Sequence, residues 1–599
     1  ACLKLGVFLL LFNVLASLKA TRFVFCEVLF RRVFLGTITC LADLPKRVAG
    51  GGRGVVCQAQ GHGEAQVEWW RGAALYQIYP RSFFDSSGNG TGDLKGVTDR
   101  LDYVAGLGVD GIWLSPFFTS PMHDFGYDIA DFCDVDPLFG SLNDFDDLIA
   151  RAHSLDLKVV IDQVYSHSSI EHPWFGQSRS SQTNPKADWY VWADAKPEGS
   201  PPNNWQSIFG GPAWTWDSRR QQYYLHNFLS TQPDLNLHNI EVQDALLSAA
   251  RFWLERGVDG FRLDAINYGM HSLGLEDNPP VDQRNSKALR PVDMQSAIYN
   301  SNHPDLPLFL ERLRAVTDEY QTCFTVAEVG GLNTSGVRKE FTRGENRLNT
   351  AYGFDFLYLD AMDTEKFAST LRDWSNDASE GWPSWAFSNH DVPRVHSRWL
   401  QHLMPEHRAR LIALLLISLR GNLFIYQGEE LGLPQADIPF DQLRDPEALC
   451  NWPHTLGRDG ARTPMPWCDE SEYAGFTAKS PWLPIPDCHR QYAVNAPLGM
   501  AIRQSVKHLF SIRSASPVLR WGAALDIDGR NDVLRFVRDY EGTRINVLFN
   551  FSSEPISVTG VGDIEPLAMV VDEQAGADFN GQLPPDSGIL YVATDHVSA

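Results

Sequence analysis

Four short segments in the middle of the chain each carry polar residues at the end of an apolar run of strand length: VVIDQVYSH (159–167), GFRLDAI (260–266), FTVAEVG (324–330) and WAFSNHD (385–391). Between them they supply three carboxylates, Asp264, Glu328 and Asp391, with Arg262, His167 and His390 close by in sequence. Alternate residues of a strand share a face, so Arg262 and Asp264 point the same way. The guanidinium is expected to hold the Asp264 carboxyl ionised, as a nucleophile requires. Glu328 sits within an apolar run, where burial raises a carboxyl toward the range of a general acid. Taken singly, an RxD or an HD pair is more often structural. Several at the ends of ordered strands point to acid/base and nucleophilic chemistry on a sugar.

The elements that must position these groups alternate in type from Trp69 onward. Candidate strands are 74–80, 111–116, 158–164, 260–266, 323–329, 353–359, 383–389 and 422–428, with helical patterns such as 99–108, 145–156 and 241–257 between them. Eight such alternations, with chemistry at the carboxyl ends, predict an eightfold β/α (TIM) barrel rather than a doubly wound open sheet. The stretch 167–240, rich in Trp, Pro, Asn and Gly, is too long for a structureless loop and reads as a small domain inserted over the rim. The barrel then occupies 65–166 and 241–519, with a second long insertion at 430–496. Residues 520–599 switch to alternating strands and predict a C-terminal antiparallel β-sandwich.

Composition narrows the partners. The formal charge is −23, and residues 1–64 hold eight basic against three acidic residues, which leaves 43 against 71 for the rest. That field disfavours nucleic acid and anionic membranes and favours a neutral substrate. Eighteen tryptophans suit stacking on sugar faces, although most are expected in the core. Nine scattered cysteines form no CxxC pair, so zinc is not expected and a reducing, cytoplasmic compartment is. Residues 5–18 form an apolar run after Lys4 that resembles a signal-peptide core but is too short to span a bilayer. Residues 1–64 are therefore read as a leader, either a signal (placing the protein in the periplasm or outside the cell) or a non-native extension.

These motifs resemble those of glycoside hydrolase family 13, the α-amylase family, from about Trp69 to the end. The matching segments are DQVYSH (162–167), GFRLDAIN (260–267), AEVGG (327–331), NHD (389–391) and FIYQGEELG (424–432). QPDLN (232–236) and GRDGARTPMPW (457–467) resemble the oligo-1,6-glucosidase and α-glucosidase branch. DNPP (277–280) and NPKADWYVWADAK (184–196) resemble bacterial α-glucosidases and α-glucosyl-transferring enzymes. The resemblance implies a retaining, exo-acting enzyme on short α-glucoside oligosaccharides, with no cofactor for catalysis. It implies Asp264 as nucleophile, Glu328 as acid/base and Asp391 as the brace of the distorted ring. Arg262, His167 and His390 would bind the same sugar, with Asp124 and Tyr127 gripping its rim and Arg458 pairing with Asp124. Phe209 would line the aglycone side, a core aromatic being the alternative.

Two details depart from the family pattern or refine it. Ser166 stands where most relatives have Asn, which puts the calcium site of true α-amylases in doubt. A separate loop places oxygens at Asp85, Ser87, Asn89, Thr91 and Asp93, spaced as in a Ca²⁺ loop, so a structural Ca²⁺ or Mg²⁺ is open there. Ala265, which follows the nucleophile where α-1,6 enzymes tend to have Val, implies a preference for α-1,4 linkages. Glu429 and Glu430 read as structural. Three functions remain open: hydrolysis, transglucosylation on the same scaffold, and a non-catalytic transporter subunit. The last predicts a damaged set of acids, which this chain does not have.

Overall fold

The apolar runs form strands buried on both faces, which is why they read as continuous hydrophobic stretches rather than alternating ones. The computed structural model describes residues 68–281, 290–331, 334–374, 376, 381–455, 457–558, 565–571 and 581–592. Its barrel strands are β1 (Ala74–Ile78), β2 (Gly111–Leu114), β3 (Lys158–Val164), β4 (Gly260–Asp264), β5 (Phe324–Val329), β6 (Thr350–Gly353), β7 (Trp382–Ala386) and β8 (Asn422–Tyr426). All pair in parallel and in chain order, and β8 closes on β1. The closed barrel, not the open sheet, is the fold.

One strand differs from the sequence reading. The sixth was expected at 353–359, but it is Thr350–Gly353, and the apolar FDFLYL that follows is a loop. Its side chains mimic a strand pattern because Phe356 packs on Phe367, Trp385 and Phe387. Its carbonyls, however, are met by side chains: Arg398 donates to Phe356 O at 3.1 Å and to Leu359 O at 2.5 Å, and the Trp399 indole donates to Leu359 O at 2.7 Å. With its backbone satisfied from outside, the segment has no need of a ladder.

The inserted region after β3 is a small three-stranded antiparallel sheet, with Gln222–Leu225 between Trp192–Ala193 and Trp214–Asp217. Its two ends are zipped together: Leu235 N donates to Ser166 O at 2.9 Å and Ser168 N donates to Pro233 O at 3.2 Å. QPDLN therefore lies against the end of β3, over the rim. Beyond the helix Pro497–Ala515, the chain forms a five-stranded antiparallel sheet and a two-stranded one.

A buried arginine ties this helix to the barrel. Arg513 donates to the carbonyls of Ile417, Leu419, Leu519, Gly72 and Gly421 at 2.6–3.3 Å. No carboxylate is among these partners, and burial lowers its pKa to about 9. The charge is held by carbonyl dipoles at the end of the helix Pro405–Ser418 and at the foot of β1. The leader reading for residues 1–64, with Cys2, Cys26, Cys40 and Cys57, lies outside the described residues. Among the described residues no helix is long and apolar enough to cross a membrane.

Candidate active site

Register between strands brings the expected residues together. Arg262 on β4 pairs in register with Asp162 on β3 and Val326 on β5, while Glu328 on β5 pairs with Tyr352 on β6. The Arg262 guanidinium is fully buried, with the Trp113 ring 5.0 Å from its centre. Its Nη1 donates to Asp162 Oδ1 at 2.8 Å and to Asp264 Oδ1 at 2.6 Å. Its Nη2 lies 2.5 Å from Glu328 Oε1 and donates to the Tyr352 hydroxyl at 2.9 Å. Tyr352 in turn donates to Glu328 Oε1 at 3.0 Å.

This sharing corrects one expectation. A single guanidinium divided among three acids does not keep Asp264 in the usual carboxylate range. Burial outweighs Arg262 and pushes Asp264 up to about 7. Burial also pushes Glu328 up to about 7, against Arg262 and with help from the Asp264 and Asp391 charges. Asp162 is pushed up to about 7 for the same first reason. The three acids are thus raised toward neutrality, and their titrations are linked through the shared guanidinium.

The turn after the nucleophile candidate is strained. Ala265 has φ 38° and ψ 35°, in the left-handed region, and its N–H donates to Glu328 Oε2 at 3.2 Å. A β-branched residue would be worse placed there than alanine. Backbone strain thus carries a donor to the acid candidate.

Opposite stands Asp391, 2.9 Å from Arg462 Nη2 and 3.5 Å from Arg458 Nη1. Burial opposes its ionisation, but the His390 Nε2–H, 3.1 Å from its Oδ2, and these two arginines outweigh burial and hold its carboxyl well below the usual range. Burial keeps His390 neutral. Its ring stacks with Tyr127 at 5.3 Å and with Tyr79 at 5.6 Å. Its Nδ1 lies 2.8 Å from Gln77 Nε2, so the proton sits on Nε2, which faces the Tyr127 hydroxyl at 2.7 Å and Asp391 Oδ2 at 3.1 Å. The Tyr127 hydroxyl then donates to Asp162 Oδ2 at 3.0 Å. One run of hydrogen bonds joins β1 to the Arg262 cluster.

The rim residues close the base of the cavity. Arg458 Nη2 lies 2.7 Å from both Asp124 Oδ1 and Asp445 Oδ1, and its guanidinium lies over the Phe209 ring at 4.9 Å. Gln232, from QPDLN, donates to Asp124 Oδ2 at 3.1 Å and lies 3.1 Å from His167 Nε2. Burial lowers His167 to about 3, so it too is neutral. A cavity of about 430 Å³ is lined by Asp124, Tyr127, His167, Phe209, Asp264, Glu328, His390, Asp391 and Arg458, and Arg262 lies directly beneath it. All ten candidate catalytic and sugar-binding residues are thus in one place.

Sequence reasoning missed Asp162, Tyr352, Arg462, Asp445, Gln232 and Gln77. Asp162, Gln232 and Arg462 lie inside motifs already quoted, and Gln77 is the lone amide in an apolar strand. Tyr352 and Asp445 carry no such signal. Glu430 is structural, as expected: its Oε1 accepts from Tyr76 at 2.9 Å and from Tyr103 at 2.6 Å. The Asp85–Asp93 loop is wrapped on its own carboxylates. Asp85 accepts from Gly88 N and Gly90 N, both at 2.7 Å, and Asp93 accepts from Gly96 N at 2.6 Å. Asn89 Oδ1 accepts from Thr91 N at 2.8 Å, and the Ser87 hydroxyl donates to Asp85 at 3.0 Å. The donor set is all oxygen, as a hard divalent cation requires. Among the described residues no group of three or more His, Cys, Asp or Glu side chains is arranged to hold a metal.

Comparison with known proteins agrees with this geometry. Residues 77–522 match the family profile described as alpha amylase, catalytic domain. A protein of Rhizobium meliloti named "Probable alpha-glucosidase" is 51% identical over 503 residues, spanning 82% of this chain and 91% of its own. The oligo-1,6-glucosidase of Heyndrickxia coagulans is 36% identical over 569 residues, 88% of this chain and 100% of its own. Among solved structures, the alpha-glucosyl transfer enzyme XgtA superposes with a TM-score of 0.83 at 47% identity, covering 88% of this chain and all of that one.

Proposed function

The chain belongs to the α-amylase family and is a glycoside hydrolase, and from that premise we propose a retaining, exo-acting α-glucosidase of short α-1,4-linked oligosaccharides. The observation that carries the proposal is the Arg262 bridge. Asp264 and Glu328 sit on neighbouring nitrogens of one guanidinium, at 2.6 and 2.5 Å. Such sharing suits the carboxyl separation of about 5–5.5 Å in double-displacement enzymes better than the roughly 6.5–9.5 Å of inverting ones.

In this reading Asp264 attacks the anomeric carbon while Glu328 gives its proton to the leaving oxygen. The Asp264 charge is lost in the glucosyl ester. That charge helps to raise Glu328, so its loss lowers the Glu328 pKa and converts the acid into the base that activates water. Asp391, held ionised by Arg462 and Arg458, meets the ring hydroxyls and the oxocarbenium-like charge. The Arg458–Asp124 pair at the cavity base supports removal of one non-reducing-end glucose at a time. Transfer of the same glucosyl group to another alcohol is the second reading, favoured by the 47% identity with an α-glucosyl transfer enzyme. Five unpaired cysteines among the described residues support a reducing, cytoplasmic setting. A structural Ca²⁺ or Mg²⁺ in the Asp85–Asp93 loop belongs to the same proposal.

Asp264→Asn is expected to lower turnover of maltose by roughly four orders of magnitude or more. The fold should hold, since asparagine keeps the side chain's shape and an oxygen that can accept from Arg262. Wild-type-like turnover in enzyme purified free of other glucosidases would reject the assignment. The working form of Glu328 is protonated, so kcat/KM should fall as pH rises through about 7. The working form of Asp264 is ionised, and this gives the acidic limb. A profile still flat at pH 9 would contradict the acid role of Glu328. Because of Ala265, kcat/KM for maltose should exceed that for isomaltose by roughly tenfold, and equal or reversed values would remove the linkage reading. EDTA should lower the apparent Tm by about 2 °C or more, reversibly on adding Ca²⁺. An unchanged Tm would mean that the loop's own hydrogen bonds suffice.

A further inference from the structure

The two oxygens of Glu328 stand in different surroundings, and only one of them can give a proton to a leaving group. Oε1 lies 2.5 Å from Arg262 Nη2 and accepts from the Tyr352 hydroxyl at 3.0 Å. Oε2 accepts the Ala265 N–H at 3.2 Å, its one donor among the described residues. Arg262 and Tyr352 are fully buried, whereas Glu328 lines the cavity. The oxygen they do not hold is the one left for a substrate.

The direction of the Tyr352 bond is fixed by its other partners. Arg262 Nε and Nη2 both donate to the phenolic oxygen, at 3.2 and 2.9 Å. A phenol has one proton, and its acceptor positions here face the guanidinium. The proton is left with Glu328 as its acceptor. Strand pairing imposes the arrangement: Tyr352 on β6 is in register with Glu328 on β5, and its ring packs 6.2 Å from Trp113 and 5.6 Å from Phe424. A proton on Glu328 Oε1 would point at donors on both sides. On Oε2 it leaves a lone pair that still accepts the Ala265 N–H.

We propose that Tyr352 is a positioning residue for proton transfer, keeping the transferable proton of Glu328 on Oε2 and binding the carboxylate that remains when that proton leaves. The proposal rests on the roles of Asp264 and Glu328 given above. In the first step the Oε2 proton passes to the glycosidic oxygen. The bond from that oxygen to the anomeric carbon breaks, its electron pair stays with the oxygen, and Asp264 bonds to the carbon. In the second step water bonds to the carbon and gives a proton to Oε2. The bond to Asp264 breaks, and its electron pair returns to the carboxylate. Negative charge therefore grows on Glu328 during the first step. Hydrogen bonds to an ionised acceptor are roughly twice as strong as neutral ones, so the Tyr352 bond strengthens as the proton departs.

The test compares Tyr352→Phe with the wild type, both as the full chain, on two substrates that need the proton to different degrees. The departing glucose of maltose is an alkoxide unless protonated, whereas fluoride leaves α-glucosyl fluoride with little help from an acid. For maltose, kcat/KM should fall roughly tenfold, while for α-glucosyl fluoride it should stay within about threefold. Phenylalanine removes a donor that favours ionised Glu328, so the acid keeps its proton to higher pH. The alkaline limb of the maltose profile should accordingly move up by about one pH unit. Tyr352→Met, flexible and without a hydroxyl, serves if the Tyr352→Phe protein is poorly folded. Equal losses on both substrates with an unmoved alkaline limb, or no loss on maltose, would overturn this inference alone. A wild type that cleaves neither substrate would overturn the proposed function and this inference with it.

Discussion

The structure of the site depends on a buried positive charge that no single neighbour could neutralise. Removing a guanidinium from water costs several kcal/mol, and Arg262 recovers this only through carboxylates delivered from three different strands. β3 supplies Asp162, β4 supplies Asp264 and β5 supplies Glu328. A one-residue slip in any of these strands would turn an acid out of the barrel and leave the arginine short of a partner. The same contacts that justify burying Arg262 hold the acids where they can react. Stability and function therefore constrain the same register.

The acids also share a difficulty. Burial, added to the repulsion among three carboxylates around one guanidinium, keeps protons bound to pH values where exposed acids have lost theirs. Asp391 escapes this because Arg462 lies 2.9 Å away, with His390 and Arg458 close beside it. The environment thus sorts chemically similar side chains into groups that exchange a proton and one that stays charged.

Much of this was legible in the sequence, and what was not has definite causes. Seven barrel strands lie within three residues of their apolar runs. The sixth was misplaced because FDFLYL packs as a strand would, while Arg398 and Trp399 supply its backbone bonds. Asp264, Glu328, Asp391 and the rim residues could be read because motif and strand end coincide. Tyr352 could not, because its role comes from lying beside Glu328 across a ladder, and sequence does not display pairing between strands. The raised pKa of Asp264 was hidden for a related reason: its arginine neighbour two residues away was visible, but the depth of its burial and the sharing of that arginine with Asp162 and Glu328 come from packing between strands.

The Arg513 hub has a consequence for how the chain is made. Gly72, at the foot of β1, hands its carbonyl to an arginine 441 residues later. At about 5–20 residues per second, a ribosome needs roughly 20–90 s to cover that distance. Throughout that interval the first strand and its neighbours have left the exit tunnel while their capping guanidinium does not yet exist. The barrel strands are all made by residue 426, yet the guanidinium that caps their foot follows only at residue 513, so the nascent barrel waits uncapped for its own C-terminal part.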